Sequence, residues 1–139
     1  MKFSLLLLSL LTGMFLYAQN TTLVVIGNGA PAKMTLADLK SVFRSEKVMW
    51  DNTSLALMKS ATEPGKSTCS KVYETSCDDV TKFWLGKAMG TNPVTPKFFD
   101  SVSELQAYVA GKPGAIGIID LSQPVPGVHV ITINGKNSF

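Results

Sequence analysis

The chain is short of the side chains that most catalytic and metal sites are made from. It holds a single histidine, His129, and only two cysteines, Cys69 and Cys77. That is too few His and Cys ligands for a tetrahedral zinc site. The eight-residue spacing of the cysteines is far from C-x-x-C, which excludes the usual dithiol redox motif. Nothing in the local pattern pairs with His129 as nucleophile or acid, so no Ser-His-Asp constellation arises and no catalytic residue is assigned. Charge is also scarce. Asp, Glu, Lys and Arg make up 17% of the chain, and the net charge is +3. Basic clusters and charge blocks are missing, and so is the electrostatic footprint of a nucleic-acid binder. The sequence has no internal repeat and no low-complexity stretch. These absences point to a non-enzymatic protein with no cofactor and no metal.

What the sequence does have is one long apolar run, at its start. Residues 1–18 read MKFSLLLLSLLTGMFLYA: one Lys, an almost unbroken apolar stretch, then the small residue Ala18. This is a secretory signal peptide pattern. The stretch falls short of the ~20 residues of a membrane span, and no Cys follows it, so a lipoprotein anchor is not expected. Cleavage is expected between Ala18 and Gln19, leaving an exported bacterial protein, periplasmic or secreted, with no membrane span. Residues 19–139 then form one domain carrying 12 basic and 10 acidic residues. This near-neutral balance gives only slight support for an anionic ligand.

In an exported chain two cysteines favour a disulfide. On one continuous helix, residues eight apart lie about 12 Å apart along the axis, whereas a disulfide needs Cα atoms within roughly 4.4–6.8 Å. Either the helix expected to begin near Ser67 breaks before Cys77, or both thiols stay free. Asp78-Asp79 is a helix-start signal that fits a break at residues 75–77.

The apolar periodicity predicts an α/β domain of about four strands flanked by about four helices. Thr21–Ala30 reads as a buried strand ending in a Gly-Asn-Gly turn, and Thr35 as the N-cap of a helix with Asp38 in its first turn. Leu55–Met58 reads as a short strand. Val80, Phe83, Trp84 and Ala88 share one helical face, which Gly90 ends. TNPVTPKFF reads as a proline-rich connector. Ser101 with Glu104 is a capping box. Ala115–Asp120 is a buried strand, and GVHVITING a final alternating strand. Trp50 and Trp84 read as core or staple residues.

Gly65-Lys66-Ser67-Thr68 looks like the tail of a nucleotide phosphate loop, but the strict motif requires glycine where Ser60 stands, and Pro64 removes a backbone donor. What survives is a helix start at Ser67, whose free N–H groups, helix dipole, Ser67 and Thr68 hydroxyls and Lys66 charge would attract an oxyanion. The competing reading is that Ser67 merely caps its own helix and Lys66 is solvated. Asn28, in the Gly27-Asn28-Gly29 turn, is a second candidate contact; a plain strand-end turn explains it equally well.

Three stretches in order carry a resemblance: TLADLKSVFRS followed by Trp50-Asp51-Asn52; a Gly-Ser-Thr loop opening a helix; and FWLGKAMGTNPVTP followed by Pro113-Gly114-Ala115-Ile116-Gly117-Ile118. Together they resemble the phosphate-binding proteins of ABC transporters, in the type II periplasmic-binding-protein-like superfamily. The resemblance implies a single lobe of that fold, since full members have two lobes and about twice this length. It implies phosphate or a similar oxyanion as a weak ligand at Gly65, Lys66, Ser67, Thr68 and Asn28. A lone lobe offers no opposing wall, and Glu63 would repel phosphate. The alternative is a protein-interaction module that has lost small-ligand binding, docking another chain or a second copy of itself as a homodimer.

Overall fold

The computed structural model describes residues 21–90, 94–120 and 125–139. The expected signal peptide and part of the proline-rich connector lie outside the described residues. The elements run β1 (Leu23–Gly27), β2 (Lys33–Met34), α1 (Leu36–Phe43), β3 (Ser54–Met58), α2 (Glu63–Lys71), α3 (Cys77–Ala88), β4 (Lys97–Phe99), α4 (Val102–Ala110), β5 (Ala115–Asp120) and β6 (His129–Ile133). They form a mixed α/β fold around one six-stranded sheet in the order β2-β6-β1-β5-β3-β4. The sequence reading expected about four strands. The two extra ones, β2 and β4, are two and three residues long at the sheet edges, too short to show a period-two pattern. β4 falls inside the stretch read as connector.

Strand direction decides where everything else sits. β1 is antiparallel to both β5 and β6, β3 is parallel to β4 and β5, and β2 is parallel to β6. So β1 alone runs against the other five.

Helices cover both faces of this sheet, so its middle strands are apolar along their whole length. All five residues of β1 and the first five of β5 are buried. On one face Leu23, Val25, Leu55, Leu57, Ile116, Ile118, Ile131 and Ile133 pack against α1, α2 and α3. On the other, Val24, Ile26, Ala56, Met58, Ala115 and Ile119 pack against Leu105 and Val109 of α4. His129 shares a side with Ile131 and Ile133 and is half-buried.

Each helix starts on a side-chain cap. Thr35 accepts from the Asp38 amide, Thr62 from Gly65, Ser76 from Asp79 and Ser101 from Glu104. Such a cap is worth about 1 kcal/mol. The α2 start corrects the sequence reading. The helix was expected to begin near Ser67, but it begins four residues earlier, at Glu63 behind Thr62. It ends at Lys71, and α3 restarts at Cys77. That break brings the two Cα atoms to 5.3 Å, and Cys69 and Cys77 are disulfide-bonded.

α3 is the least embedded helix: of its twelve residues only Val80 and Trp84 are buried. Ala88, expected on the same apolar face, is exposed. Phe83, Trp84 and Tyr73 form an aromatic cluster with ring centroids 4.9–6.3 Å apart. The Tyr73 hydroxyl donates to the Phe43 carbonyl at 2.7 Å.

Burial pushes the Tyr73 phenol far above its ordinary range, with the nearby Trp84 indole and Arg44 guanidinium pulling slightly the other way. The unfolded chain therefore releases this proton first. The associated stability is intact below about pH 10 and falls as pH rises above it. Tyr73→Phe is expected to cost about 1 kcal/mol at neutral pH for the lost hydrogen bond and to flatten the alkaline decline. Denaturant midpoints of both proteins from neutral to alkaline pH check this; parallel declines would refute it.

Candidate ligand-facing end of the sheet

In open α/β sheets, ligands gather beyond the carboxyl ends of the parallel strands. Here that end carries Lys59 after β3, Asp100 after β4 and the first turns of α2 and α4. β3 and β4 finish in register, Met58 beside Phe99, and the Lys59 amide donates to the Phe99 carbonyl at 2.9 Å. The two helix starts are thereby held side by side.

The start of α2 is already internally satisfied. Thr62 Oγ1 accepts from the Gly65 amide at 3.1 Å and donates to the Lys59 carbonyl at 2.6 Å. The Thr62 amide donates to the same carbonyl at 2.9 Å, and Lys66 N–H donates to the Thr62 carbonyl at 3.0 Å. Pro64, in the first turn, has no N–H to offer. Of the orphan donors that make a helix start attractive to anions, only the Glu63 amide remains, on a residue that is itself acidic.

The charges compound this. Lys59 pairs with Asp100 at 2.9 Å, and Lys66 reaches back to Glu63 at 3.4 Å. Lys71, at the other end of α2, donates to the carbonyls of Thr21 and Phe139. Glu104 stands in the first turn of α4. The lysines beside α2 are engaged, and carboxylates at Glu63, Asp100 and Glu104 surround the helix starts.

The residues singled out in the sequence fall elsewhere than a cradle would need. Ser67 and Thr68 sit in mid-helix, 6% and 2% exposed, and Thr68 Oγ1 donates to the Pro64 carbonyl one turn back at 2.8 Å. Gly65 has a packing reason to be glycine. A Cβ there would stand 2.0 Å from the Lys59 carbonyl oxygen and 2.8 Å from that of Met58. The backbone of α2 rests directly on the end of β3.

Asn28 is at the opposite end of the sheet. Because β1 runs antiparallel, its carboxyl end lies beside the start of β5, which in turn pairs with the start of β3. The length of β3, about 13 Å, separates Asn28 from the start of α2. No small anion touches both. Asn28 instead fastens a loop: its Nδ2 donates to the Val109 and Ala110 carbonyls at the end of α4, 3.0 and 3.1 Å away. Its backbone exchanges bonds with Ala115 and Gly114. Trp50 Nε1 donates to the Gly114 carbonyl at 2.8 Å. Gly114 has φ +91°, and a Cβ there would stand 2.3 Å from the Asn52 carbonyl oxygen. The Trp-Asp-Asn and Pro-Gly-Ala-Ile-Gly stretches are thus one structural knot.

A groove the sequence did not announce lies between α2 and α3, with a volume of about 560 Å³. Leu57, Val80, Trp84 and Leu85 supply its apolar walls, Phe98 of β4 closes one side, and both cysteines reach it. Leu85 is 62% exposed, Met89 91% and Phe98 42%. Trp84 Nε1 is buried with no hydrogen-bond partner among the described residues. Groups of three or more His, Cys, Asp or Glu able to hold a metal are absent among the described residues. Likewise, no helix there is long and apolar enough to cross a membrane.

Solved structures with this arrangement are known. An ABC-type phosphate transport receptor from Vibrio cholerae matches with TM-score 0.64 and 14% identity, over 86% of this chain and 50% of that one. PstS from Borrelia burgdorferi matches with TM-score 0.59 and 14% identity, over 84% and 49%. A phosphate ABC transporter substrate-binding protein with bound phosphate, from Clostridium perfringens, matches with TM-score 0.55 and 14% identity, over 85% and 48%. The fold is the one these receptors share. The chain spans about half the length of each. No protein-family model matches the sequence, and no curated protein does.

Two substitutions separate packing from binding at these positions. Gly65→Ala is expected to destabilise the fold by at least about 1–3 kcal/mol through overpacking, read as a lowered thermal midpoint; an unchanged midpoint would show that α2 does not rest on β3. Asn28→Ala removes both side-chain bonds to the end of α4, although the Val109 carbonyl still accepts from the Lys112 amide at 3.2 Å, and should cost about 1–3 kcal/mol. Any anion-induced amide shifts in residues 59–66 should stay unaltered in that variant, and their loss would join the two ends into one site.

Proposed function

We propose that the chain is an exported, non-catalytic binding module built as a single lobe on the phosphate-receptor fold, and that it meets its partner across an open surface rather than enclosing a small ligand. The observation that carries this reading is the first turn of α2. Apart from the Glu63 amide, on an acidic residue, its donors are bonded to Thr62 or removed by Pro64, and its neighbouring lysines are paired with Asp100 and Glu63. The fold supports descent from a ligand-binding architecture, while the local chemistry favours protein contact. The partner that fits best is a second copy of this chain. Leu85 and Phe98 are exposed and line the same groove, Met89 is exposed four residues beyond Leu85, and the chain spans about half the length of the receptor it matches.

A weaker second reading rests on Lys59. It brings a cation to the carboxyl ends of the parallel strands, beside a helix start. There phosphate or a similar oxyanion could displace Asp100 and bind from one side, with millimolar affinity.

Light scattering and amide NMR on one sample separate the two. The expected result is a dimer near about 100 µM without anion, reduced to monomer by Leu85→Asp, with no saturable shift of residues 59–66 up to about 10 mM phosphate. A monomer with saturable shifts that Lys59→Ala abolishes would reverse the ranking. A monomer with no shifts would remove both readings.

A further inference from the structure

We propose that the Cys69–Cys77 disulfide is a reducible clasp that sets the opening of the groove between α2 and α3. The chain is anchored without it as far as Tyr73. The Val72 and Tyr73 amides both donate to the Thr68 carbonyl, and the Tyr73 hydroxyl is tied to Phe43. Glu74 then turns the chain with φ 57° and pairs with Lys40 and Arg44 on α1. Beyond that turn the hold thins. Thr75 N–H donates to the Cys69 carbonyl at 3.2 Å, and α3 presses only Val80 and Trp84 fully into the body. One of those two, Trp84, meets the Tyr73 ring edge-on, with centroids 6.3 Å apart. A covalent link at the first residue of α3 therefore does much of the holding, and the turn at Glu74–Ser76 is where the helix would swing.

The link is within reach of a reagent. Both cysteines line the groove; Cys69 is buried and Cys77 half-buried. Exchange favours the sulfur that can be approached. A thiolate from a dithiol reductant bonds to Cys77 Sγ, the Cys69–Cys77 bond breaks, and Cys69 leaves as a thiolate that takes a proton from water. The second thiol of the reductant, as thiolate, then attacks its own sulfur in the mixed disulfide and releases Cys77. The reductant ends as a cyclic disulfide, and the protein gains two thiols. With α3 freed at its first turn, the groove widens and Trp84 is uncovered, while the sheet, sealed by α1, α2 and α4, stays intact.

Hydrogen exchange followed by mass spectrometry, before and after dithiothreitol, tests this. The expected result is exchange about tenfold or more faster across Cys77–Ala88, with β1, β3 and β5 unchanged and full reversal on reoxidation. The Cys69→Ser/Cys77→Ser variant should match the reduced form. In a Trp50→Phe background, Trp84 emission should move to longer wavelength on reduction. Three results would overturn the proposal: exchange rising together across the whole domain, α3 exchange left unchanged, or a disulfide that resists dithiothreitol until denaturant is added.

Discussion

The carboxyl end of the parallel strands is governed by one close approach: the backbone of α2 at Gly65 lies against the carbonyls that end β3. A helix seated that tightly cannot begin at Ser67. Its first turn must come earlier, and Thr62 and Pro64 form it. Ser67, Thr68 and Cys69 then turn inward onto the sheet, and the hydroxyls that would have faced an anion become part of the packing. Seating also places Cys69 where a helix restarting at Cys77 can meet it. The glycine, the cap, the buried hydroxyls and the disulfide follow from one contact.

The sheet adds a second constraint. With β1 reversed among five co-directional strands, the loop holding Asn28 and the start of α2 are at opposite ends. One end is a knot of backbone and side-chain hydrogen bonds through Asn28, Trp50 and Gly114. The other is open and rich in carboxylates. Sequence stretches that resemble a phosphate receptor are thus distributed between the two ends of the sheet, and a likeness at the Asn28 end carries no information about binding at the start of α2.

Much of the fold was legible in the residues. Thr35, Ser101 and the Asp78-Asp79 signal mark helix starts that the structure places within a residue or so, and the continuous apolar runs at Leu23–Gly27 and Ala115–Asp120 announce strands covered on both sides. The start of α2 was legible too, but obscured. Thr62-Glu63-Pro64 is a cap, an acid and a first-turn proline in the expected order, and the likeness of Gly65–Thr68 to a phosphate loop drew attention past it. The separation of Asn28 from α2 was not legible. It depends on strand direction, which no single segment encodes. Nor was the groove, because α3 shows an ordinary amphipathic pattern and only the packed structure reveals how little of it is buried.

The outermost strands bear on how copies of the protein can meet. β2 has two residues and contains Lys33; β4 has three, contains Lys97 and follows Pro96. Brief, lysine-bearing margins beside a proline discourage another chain from hydrogen-bonding onto a sheet. The sheet therefore does not readily extend into a continuous ribbon with its neighbours. Any association is steered toward side-chain contact between helical surfaces rather than strand pairing.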